Sequence, residues 1–274
     1  MAIIKRRAWR FSTMALTLRR ESFDEAELSH DAFLGGRLVI AQPRGGYRAG
    51  VDPVLLAASV PARAGDRVLD LGCGGGVAGL CLAARVPGVR LTGLEVQPAY
   101  ADLARRNATL NDIALDVVTG DLSNMPDVLR QQQFDHVIAN PPYFDRHQST
   151  PACDAGREQA LGEGVSLADW VRAAARRAAQ KGSVTFIQRA ERLPDLMTAA
   201  MIHLGSLEVL PLIPRRGRAA RLVLLRGRKG GRADLRLHDG WLLHEGPEHV
   251  QDGEKYTDMT DQVLRNAADL PFPV

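Results

Sequence analysis

Beginning at residue 67, short apolar segments alternate with helical segments, and no other feature restricts the fold of this chain as strongly. The segments that read as strands are RVLDL (67–71), RLTGLE (90–95), LDVVTG (115–120) and FDHVIA (134–139). The pattern predicts helices at 77–86 and at 98–111, and Pro98 lies in the first turn of the second. Strands that alternate with helices over short connections predict a parallel sheet with helices on both faces.

The second half of the chain continues this alternation and then departs from it. The predicted elements are a helix at 167–181, a strand at 183–188, a helix at 191–203 and strands at 207–213 and 221–227. Only a short arginine-rich loop joins the last two strands, so they should form an antiparallel hairpin at one edge of the sheet. The expected fold class is therefore α/β and Rossmann-like, with a seven-stranded, mostly parallel sheet and helices on both faces.

The first predicted strand runs into the sequence VLDLGCGGG, which places Gly72, Gly74 and Gly76 between a strand and a helix. Glycines at such a turn let the backbone approach a ligand closely. Glu95 ends the next strand, where a carboxylate can accept hydrogen bonds from both hydroxyls of a ribose. The loop is thus predicted to bind a ligand that contains a ribose, although glycines alone also occur in tight turns that bind nothing.

An aspartate beside the loop narrows the class of ligand. The order Asp70-x-Gly72-x-Gly74 differs from the GxGxxG fingerprint of dinucleotide sites. A carboxylate at this place repels a pyrophosphate and attracts an ammonium group, so the ligand should carry a ribose and a cationic amine with little phosphate. S-adenosylmethionine fits this description. Asp121, in the sequence GDL after the third strand, is expected near the adenine of such a ligand.

The fourth predicted strand ends abruptly at Asn140, Pro141, Pro142 and Tyr143. Two successive prolines cannot continue a central strand, because each lacks an N–H and has a fixed φ. The side-chain oxygen of Asn140 and the carbonyl of Pro141 would then be two rigid acceptors for a planar NH2 group. Hydrogen bonds to both N–H groups would free the nitrogen lone pair for methyl transfer, and Tyr143 would offer a face for a stacked base. The alternative is a proline-stiffened loop with a buried tyrosine.

The charge of the chain is unevenly distributed, although its formal net value is only +3. Nine basic residues and one acid lie between 215 and 236, and a cluster such as Arg215, Arg216 and Arg218 could bind the phosphates of a nucleic acid. The chain is also rich in arginine throughout, as expected for a GC-rich genome, so the cluster has two equally weighted interpretations.

The remaining composition indicates the compartment. The chain has three cysteines, Cys73, Cys81 and Cys153, without CxxC spacing, which favours a reducing cytoplasm over a disulfide framework or a zinc site. The same cysteine pattern leads us to expect no metal. No apolar run approaches the roughly 20 residues that span a bilayer, so we expect no membrane association. Nothing in the sequence fixes the oligomeric state, and a monomer is favoured.

Four further segments carry a resemblance to a known family. They are GGYRAGVDPVLLAA (45–58), NPPYF (140–144), RLVLLRGRKGG (221–231) and KYTD (255–258). With them, residues 37–265 resemble the class I S-adenosylmethionine-dependent methyltransferases with an Asn-Pro-Pro-Tyr/Phe motif. The greatest likeness is to the bacterial tRNA (valine) adenine-N6 methyltransferases, which modify the adenine next to the anticodon.

The resemblance implies a role for each motif residue. It implies cofactor contacts by Asp70, Gly72, Gly74, Glu95 and Asp121, a target-amine site at Asn140 through Tyr143, and a cofactor methionine end lined by Gly50 and Asp52. The sequence GCGGGVAG departs from the family in having a small residue where many relatives have a larger one after the glycines. The implied organisation is a partly disordered N-terminal tail (1–36), a methyltransferase domain with an N-terminal cap segment (37–231) and a C-terminal extension packed on it (232–274).

The Asn-Pro-Pro-Tyr motif identifies an amine but not the molecule that carries it. Similar motifs occur in enzymes that methylate release-factor glutamines, guanine N2 of rRNA and adenine in DNA. The glutamine enzymes typically carry an N-terminal helical domain, and a DNA enzyme would usually need a separate recognition domain; neither is evident in this sequence. RNA, and tRNA in particular, is the favoured partner. A non-enzymatic RNA-binding module on the same fold is a further alternative, against which the intact Asn140 and Asp70 speak.

Overall fold

The computed structural model describes residues 20–143, 165–246 and 255–273 of the chain. In chain order its strands are β1 (Leu28–Phe33), β2 (Leu38–Pro43), β3 (Arg67–Leu71), β4 (Arg90–Glu95), β5 (Leu115–Thr119), β6 (Phe134–Ala139), β7 (Ala178–Arg189), β8 (Gly205–Ile213), β9 (Leu222–Arg228), β10 (Arg236–Leu237) and β11 (Trp241–Leu242). The α-helices are α1 (Asp52–Ser59), α2 (Val77–Arg85), α3 (Pro98–Leu110), α4 (Asp127–Arg130), α5 (Leu167–Arg177), α6 (Leu193–His203) and α7 (Asp258–Asn266).

The central sheet has the strand order β5-β4-β3-β6-β7-β9-β8-β10, and β11 also pairs with β8. Within it only β9 is antiparallel to its neighbours, β7 and β8. The seven long strands and the antiparallel pair confirm the predicted sheet. The short strands β10 and β11, of two residues each, were not predicted. They lie parallel to β8 on its outer side, so the hairpin is not at the extreme edge.

The predicted helix at 167–181 is too long, because it ends at Arg177 and the chain continues directly as β7. The sequence AAQK (178–181) consists largely of good helix formers, so its propensity favours a helix. In the structure Ala178 pairs with Phe134 of β6, and the N–H of Lys181 donates to Lys229 O at 3.0 Å. Tertiary pairing therefore overrides the local preference of this segment.

Apolar side chains fill both faces of the sheet, as expected for a parallel sheet covered on two sides. One buried cluster joins the sheet to α1 and α2 and includes Leu55, Leu80 and Ile187. The other joins the sheet to α5 and α6 and includes Phe186 and Leu196. Helix α1 begins at Asp52 with Pro53 in its first turn, where the missing N–H of proline costs no hydrogen bond.

A buried asparagine helps to attach the N-terminal hairpin of β1 and β2 to this core. Asn107 of α3 accepts from the N–H of Ala41 at 2.8 Å and donates to Ala41 O at 3.1 Å, and it also donates to Gly75 O at 2.9 Å. Strand β1 falls in the stretch 1–36 that was assigned to a tail, so the structured part begins earlier than that boundary. Residues 1–19 lie outside the described residues.

The C-terminal segment packs against helix α1 and strand β9. The N–H of Leu270 donates to Ala58 O at 2.9 Å, and the guanidinium of Arg226 lies 4.0 Å from the ring centroid of Phe272. Arg226 also forms a buried ion pair with Glu208 at 2.8 Å. In the part of the chain that the structure describes, no helix has both the length and the apolar character needed to cross a membrane.

Candidate functional site

The candidate site residues that the structure describes lie at or near one edge of the sheet, and Asp70, Gly76 and Glu95 are buried there. Strands β3, β4, β5 and β6 are parallel, so the loops that follow Leu71, Glu95, Thr119 and Ala139 emerge side by side. Ligands bind at this carboxyl edge in open α/β sheets. Leu71 pairs with Ala139, so the glycine loop and the Asn-Pro-Pro-Tyr motif begin at the same level of adjacent strands.

The glycine loop is held to β4 through its backbone. The N–H groups of Gly72 and Cys73 both donate to Leu94 O, at 2.8 and 2.9 Å, and the N–H of Gly74 donates to Glu95 Oε2 at 2.9 Å. Gly72 has φ +73° and Gly74 has φ +54°, which favour glycine. A Cβ on Gly74 would meet no atom of the described residues within 4 Å, so among them the outer side of the loop is open at this residue.

The Glu95 carboxylate lies against the glycine loop. It is only 6 % exposed, and Oε1 accepts from the N–H of Gln97 at 2.9 Å in addition to the bond from Gly74 to Oε2. Burial raises the pKa of this carboxyl, and the backbone N–H groups oppose that rise. Each oxygen has a second lone pair, so both can accept a further hydrogen bond from a ligand. The next residue, Val96, is 54 % exposed and provides an apolar surface beside them.

Asp70 lies underneath the glycine loop rather than on its open side. It is 3 % exposed, and its Oδ2 accepts from the N–H of Gly79 in α2 at 3.1 Å. Burial and the nearby charge of Glu95 raise the pKa of Asp70 to about 7. Through this hydrogen bond the carboxyl supports the start of α2, and its contact with an ammonium group of a ligand stays a prediction.

The pKa of Asp70 predicts a stability that falls as the pH rises. The folded-state pKa exceeds the ordinary value of 3.8, so between about pH 4 and pH 7 the unfolded chain has lost a proton that the folded chain retains. Asp70→Asn keeps an acceptor for Gly79 and removes this titration. We expect urea unfolding of the wild type to lose of order 1–4 kcal/mol between pH 5 and pH 8 relative to Asp70→Asn. An identical pH dependence of the two proteins would contradict the assignment.

Asp121 and Gly76 stabilise the loops around the site. Asp121 Oδ1 accepts from the N–H and the hydroxyl of Ser123, at 2.8 and 2.6 Å, and so closes the turn after β5. Gly76 has φ +83°, and a Cβ on it would lie 3.3 Å from Ala104 in α3. A side chain at this position would therefore meet a packed helix, and a contact of Gly76 with the cofactor stays a prediction. Gly50 is exposed, with nothing within 4 Å of a Cβ.

A hydrogen bond between two predicted sites joins the cap segment to the Asn-Pro-Pro-Tyr motif. The hydroxyl of Tyr143 donates to Asp52 Oδ2, although the two residues are 91 positions apart. Burial raises the pKa of both groups, and the Asp52 charge raises that of Tyr143 further, so the proton stays on the tyrosine. Asn140 is half-buried and its side chain makes no hydrogen bond with any residue the structure describes. Phe144, the last residue of the motif, lies outside the described residues.

Three side chains at this edge were missed in the sequence analysis. Tyr47 is 40 % exposed, and burial together with the charge of Asp52 raises its pKa to about 12. Trp170 of α5 lies against Gly72, where a Cβ would be 2.3 Å from its ring. The guanidinium of Arg189, at the end of β7, is 5.9 Å from the ring centroid of Tyr143. Of these, only Tyr47, inside GGYRAG, belongs to a segment that the sequence had marked.

The basic segment 215–236 is divided between the two edges of the sheet. Strand β8 is parallel to β7, so the loop after Ile213 that carries Arg215, Arg216 and Arg218 emerges at the same edge as the Asn-Pro-Pro-Tyr motif. Strand β9 returns to the opposite edge, where Arg228 ends it. One guanidinium of the loop is already engaged, because Arg215 donates to Glu245 O. Only the first part of the basic segment can therefore share a ligand with the site.

Comparison with protein families and curated proteins agrees with this arrangement. Residues 49–156 match the family described as the methyltransferase small domain. A tRNA1(Val) (adenine(37)-N6)-methyltransferase of Porphyromonas gingivalis is 31 % identical over 186 residues, which cover 63 % of this chain and 71 % of the relative. An enzyme of the same name from Yersinia pestis is 37 % identical over 108 residues, 38 % of this chain and 43 % of the relative.

Two solved structures have similar folds. One, described as a predicted O-methyltransferase from Agrobacterium tumefaciens, has a TM-score of 0.66 and 28 % identity, over 81 % of this chain and all of that one. The other, a T. thermophilus 16S rRNA guanine-N2 methyltransferase with S-adenosylmethionine and guanosine, has a TM-score of 0.50 and 19 % identity, over 74 % of this chain and 50 % of that one. The second likeness concerns the fold alone.

Proposed function

We propose that this chain, which belongs to the tRNA1(Val) (adenine(37)-N6)-methyltransferase family, transfers a methyl group from S-adenosylmethionine to N6 of an adenine in tRNA. The observation that carries the proposal is the position of Asn140-Pro141-Pro142-Tyr143 beside the glycine loop, at the level where β3 and β6 end together. An acceptor for an amine and a site for a ribose are thereby adjacent, as transfer between two bound molecules requires.

The residues around the glycine loop fit the cofactor, which supplies an electrophilic methyl group when it is bound. Glu95 has an acceptor position left on each oxygen for the two ribose hydroxyls, and the side of Gly74 that faces away from the protein is open. The exposed Val96 offers an apolar contact for the adenine ring, and Asp121 holds the loop on the far side of that ring. Gly50 and Asp52 lie toward the methionine end. We propose these as the cofactor contacts, with Asp70 and Gly76 supporting the loops from within.

Asn140 and Pro141 act on the target amine. The side-chain oxygen of one and the carbonyl of the other accept the two N–H groups, which favours a pyramidal nitrogen with its lone pair directed outward. The new N–C bond forms as the nitrogen lone pair takes the methyl group and the C–S electrons remain on sulfur. The nitrogen then loses its extra proton to solvent, so no strong base is needed. Pro142 fixes the corner, and Tyr143, held by Asp52, contacts the base.

The preference for an RNA substrate has two supports. The relatives named above are tRNA enzymes, and the arginine loop that follows β8 lies at the same edge as the amine site. An adenine in a loop is also more readily extruded than one in a duplex, since extrusion costs only a few kcal/mol. Such a protein acts in the cytoplasm, where the buried free thiols of Cys73 and Cys81 stay reduced. Cys153 lies outside the described residues.

Replacing Glu95 should weaken cofactor binding. Glu95→Ala removes the charged acceptor of two ribose hydroxyls and also the acceptor of the Gly74 and Gln97 N–H groups. We expect a loss of about ten- to hundredfold in affinity for S-adenosylmethionine by calorimetry. Glu21→Ala, which changes an exposed glutamate before β1, is the control and should bind as the wild type does. Unchanged binding by Glu95→Ala would show that the cofactor ribose does not bind at Glu95.

The arginine loop should make RNA binding depend on salt. Arg216 and Arg218 are exposed, so Ala at both positions should weaken tRNA binding and lower the slope of log affinity against log salt by about 0.7–0.9 for each phosphate that is no longer bound. Adding Arg215→Ala tests the residue that also binds Glu245. The control replaces Arg63, Arg67 and Arg90, which lie at the opposite edge of the sheet. If the slope of log affinity against log salt is the same for both sets of variants, the loop is an ordinary solvated surface and does not bind the RNA.

The proposed function is tested by offering several methyl acceptors side by side. Labelled S-adenosylmethionine is incubated with the protein and total tRNA, ribosomal RNA, duplex DNA or release factors. Label in tRNA alone supports the proposal. Label in release factors would make the substrate a glutamine amide, and label in ribosomal RNA alone would favour a guanine amine; in both cases the chemistry of Asn140 would stand and the substrate would change. Cofactor binding without transfer to any acceptor would favour an RNA-binding module.

A further inference from the structure

The amine site has a cationic neighbour that methyl transfer itself does not require. Arg189 is the last residue of β7, the strand beside β6. Ala139 pairs with Phe186, so Arg189 extends three residues past this pair, as Pro142 does on the neighbouring strand. Arg189 is two residues after Ile187, so both lie on the same face of the sheet. That face is covered by α1, which begins at Asp52. The topology thus brings a guanidinium next to the motif from a different part of the chain.

The contacts of Arg189 place its charge over the base-contacting residue. Its guanidinium carbon is 5.9 Å from the ring centroid of Tyr143, and its charge acts to lower the pKa of both Tyr143 and Asp52 against the effect of burial. The side chain is 40 % exposed and forms an ion pair with Glu191 at 3.2 Å. A guanidinium carries five N–H donors, so it can hold its protein partners and an oxyanion at the same time.

The surroundings of Arg189 favour a phosphate of a nucleic-acid backbone as its ligand. Leu222 pairs with Arg189, and the N–H of Ala190 donates to Arg221 O at 2.9 Å, so the arginine loop ends directly beside it. Arg221, the last arginine of that loop, is exposed, so a second arginine lies next to this end of β7. A neutral adenine offers no charge for a guanidinium at its pocket, and neither does a glutamine amide. An adenine in a polynucleotide brings a phosphate on each side of its sugar, and arginine binds phosphate through paired N–H donors.

We propose that Arg189 binds a backbone phosphate directly attached to the target adenosine, and so makes the amine site selective for a nucleotide over a bare base or a protein amide. This inference rests on the proposed function and deepens it, because it names the part of the substrate that one side chain recognises. Arg189 is a binding residue for the substrate; it does not take part in the bond-forming step.

The test uses small probes that do not depend on knowing the RNA. Calorimetry measures the binding of adenosine, adenosine 5′-monophosphate and adenosine 3′-monophosphate to the protein saturated with S-adenosylhomocysteine. The wild type should bind one of the monophosphates about ten- to hundredfold more tightly than adenosine. Arg189→Ala should bind all three equally, and Arg189→Lys should recover part of the preference. Arg172→Ala, which removes a similarly exposed arginine with its own ion pair on α5, should keep the full preference.

Two outcomes would overturn the inference. The first is a wild-type protein that binds the monophosphates no better than adenosine, including one that binds none of them. The second is an Arg189→Ala protein with weakened affinity for S-adenosylmethionine, because the guanidinium would then serve the carboxylate of the cofactor. Both are separable from the proposed function, which fails if no RNA is methylated. A protein that methylates RNA and ignores the phosphate of the monophosphates contradicts only the role of Arg189.

Discussion

The variant Asn140→Ala is expected to lose about 10²–10³-fold in kcat for methyl transfer, the loss seen when one preorganised partner of a developing charge is removed. Asn140 lies directly after β6 and its side chain makes no hydrogen bond with other described residues, so its removal leaves none of the described groups without a partner. Its oxygen acts only on the amine that becomes charged during the transfer. Affinity for S-adenosylmethionine should therefore stay within about twofold of the wild type.

A matched control separates this role from a general loss of structure. Asn124→Ala removes an exposed asparagine from the turn after β5 and should leave kcat unchanged. Asn140→Asp keeps the size and the acceptor oxygen but adds a charge. Its activity should lie between those of Asn140→Ala and Asn124→Ala. Single-turnover rates with labelled cofactor and calorimetric cofactor affinities are measured for all three variants. Equal losses of rate and of cofactor affinity in Asn140→Ala would show that Asn140 maintains the structure of the loop and does not act on the amine alone.

Gly72→Ala is expected to destabilise the fold by about 2–5 kcal/mol in urea unfolding. A φ of +73° costs an L-residue about 1–2 kcal/mol, and overpacking adds about 1–3 kcal/mol because the new methyl would lie 2.3 Å from the ring of Trp170. Gly74→Ala is the control, since its φ is +54° but no atom lies within 4 Å of the added carbon. It should cost only the backbone term, about 1–2 kcal/mol.

A double-mutant cycle isolates the steric part of this effect. In the background of Trp170→Ala, Gly72→Ala should cost only the backbone term, which gives a coupling energy of about 1–3 kcal/mol between the two positions. Additive effects would mean that the indole does not occupy this place against the loop. Cofactor affinity should fall with Gly72→Ala as well, because moving the indole or the loop disturbs the surface on which we place the ribose.

The order of the elements was predictable because local patterns determine it. Alternating apolar segments defined β3 to β6, and the absence of a helix between β8 and β9 defined the antiparallel pair. The end of α5 at Arg177 was not predictable, since AAQK favours a helix in isolation and becomes a strand only by pairing with β6 and Lys229. The strands β10 and β11 are too short to leave a periodic pattern.

The residues of the site also divide into those that the sequence predicts and those that it does not. Glu95 and the Asn-Pro-Pro-Tyr motif could be located from their positions after strands, because parallel strands bring their carboxyl ends together. Contacts between distant segments left no local signal. Asn107 joins residues 66 and 32 positions away, and the hydrogen bond from Tyr143 to Asp52 spans 91 positions. The hydrogen bond between Asp70 and the N–H of Gly79 in α2 also depends on packing, so the sequence placed this carboxylate beside the loop without indicating its burial.

Identification of the methylated nucleoside tests the central claim most directly. Transfer RNA from cells that lack this protein is incubated with the purified chain and isotopically labelled S-adenosylmethionine, digested to nucleosides and analysed by mass spectrometry. The account predicts label in N6-methyladenosine with the wild type and about 10²–10³-fold slower labelling of the same nucleoside with Asn140→Ala. Label in N2-methylguanosine, or in any nucleoside methylated on oxygen or carbon, would contradict the assignment of adenine N6 as the acceptor.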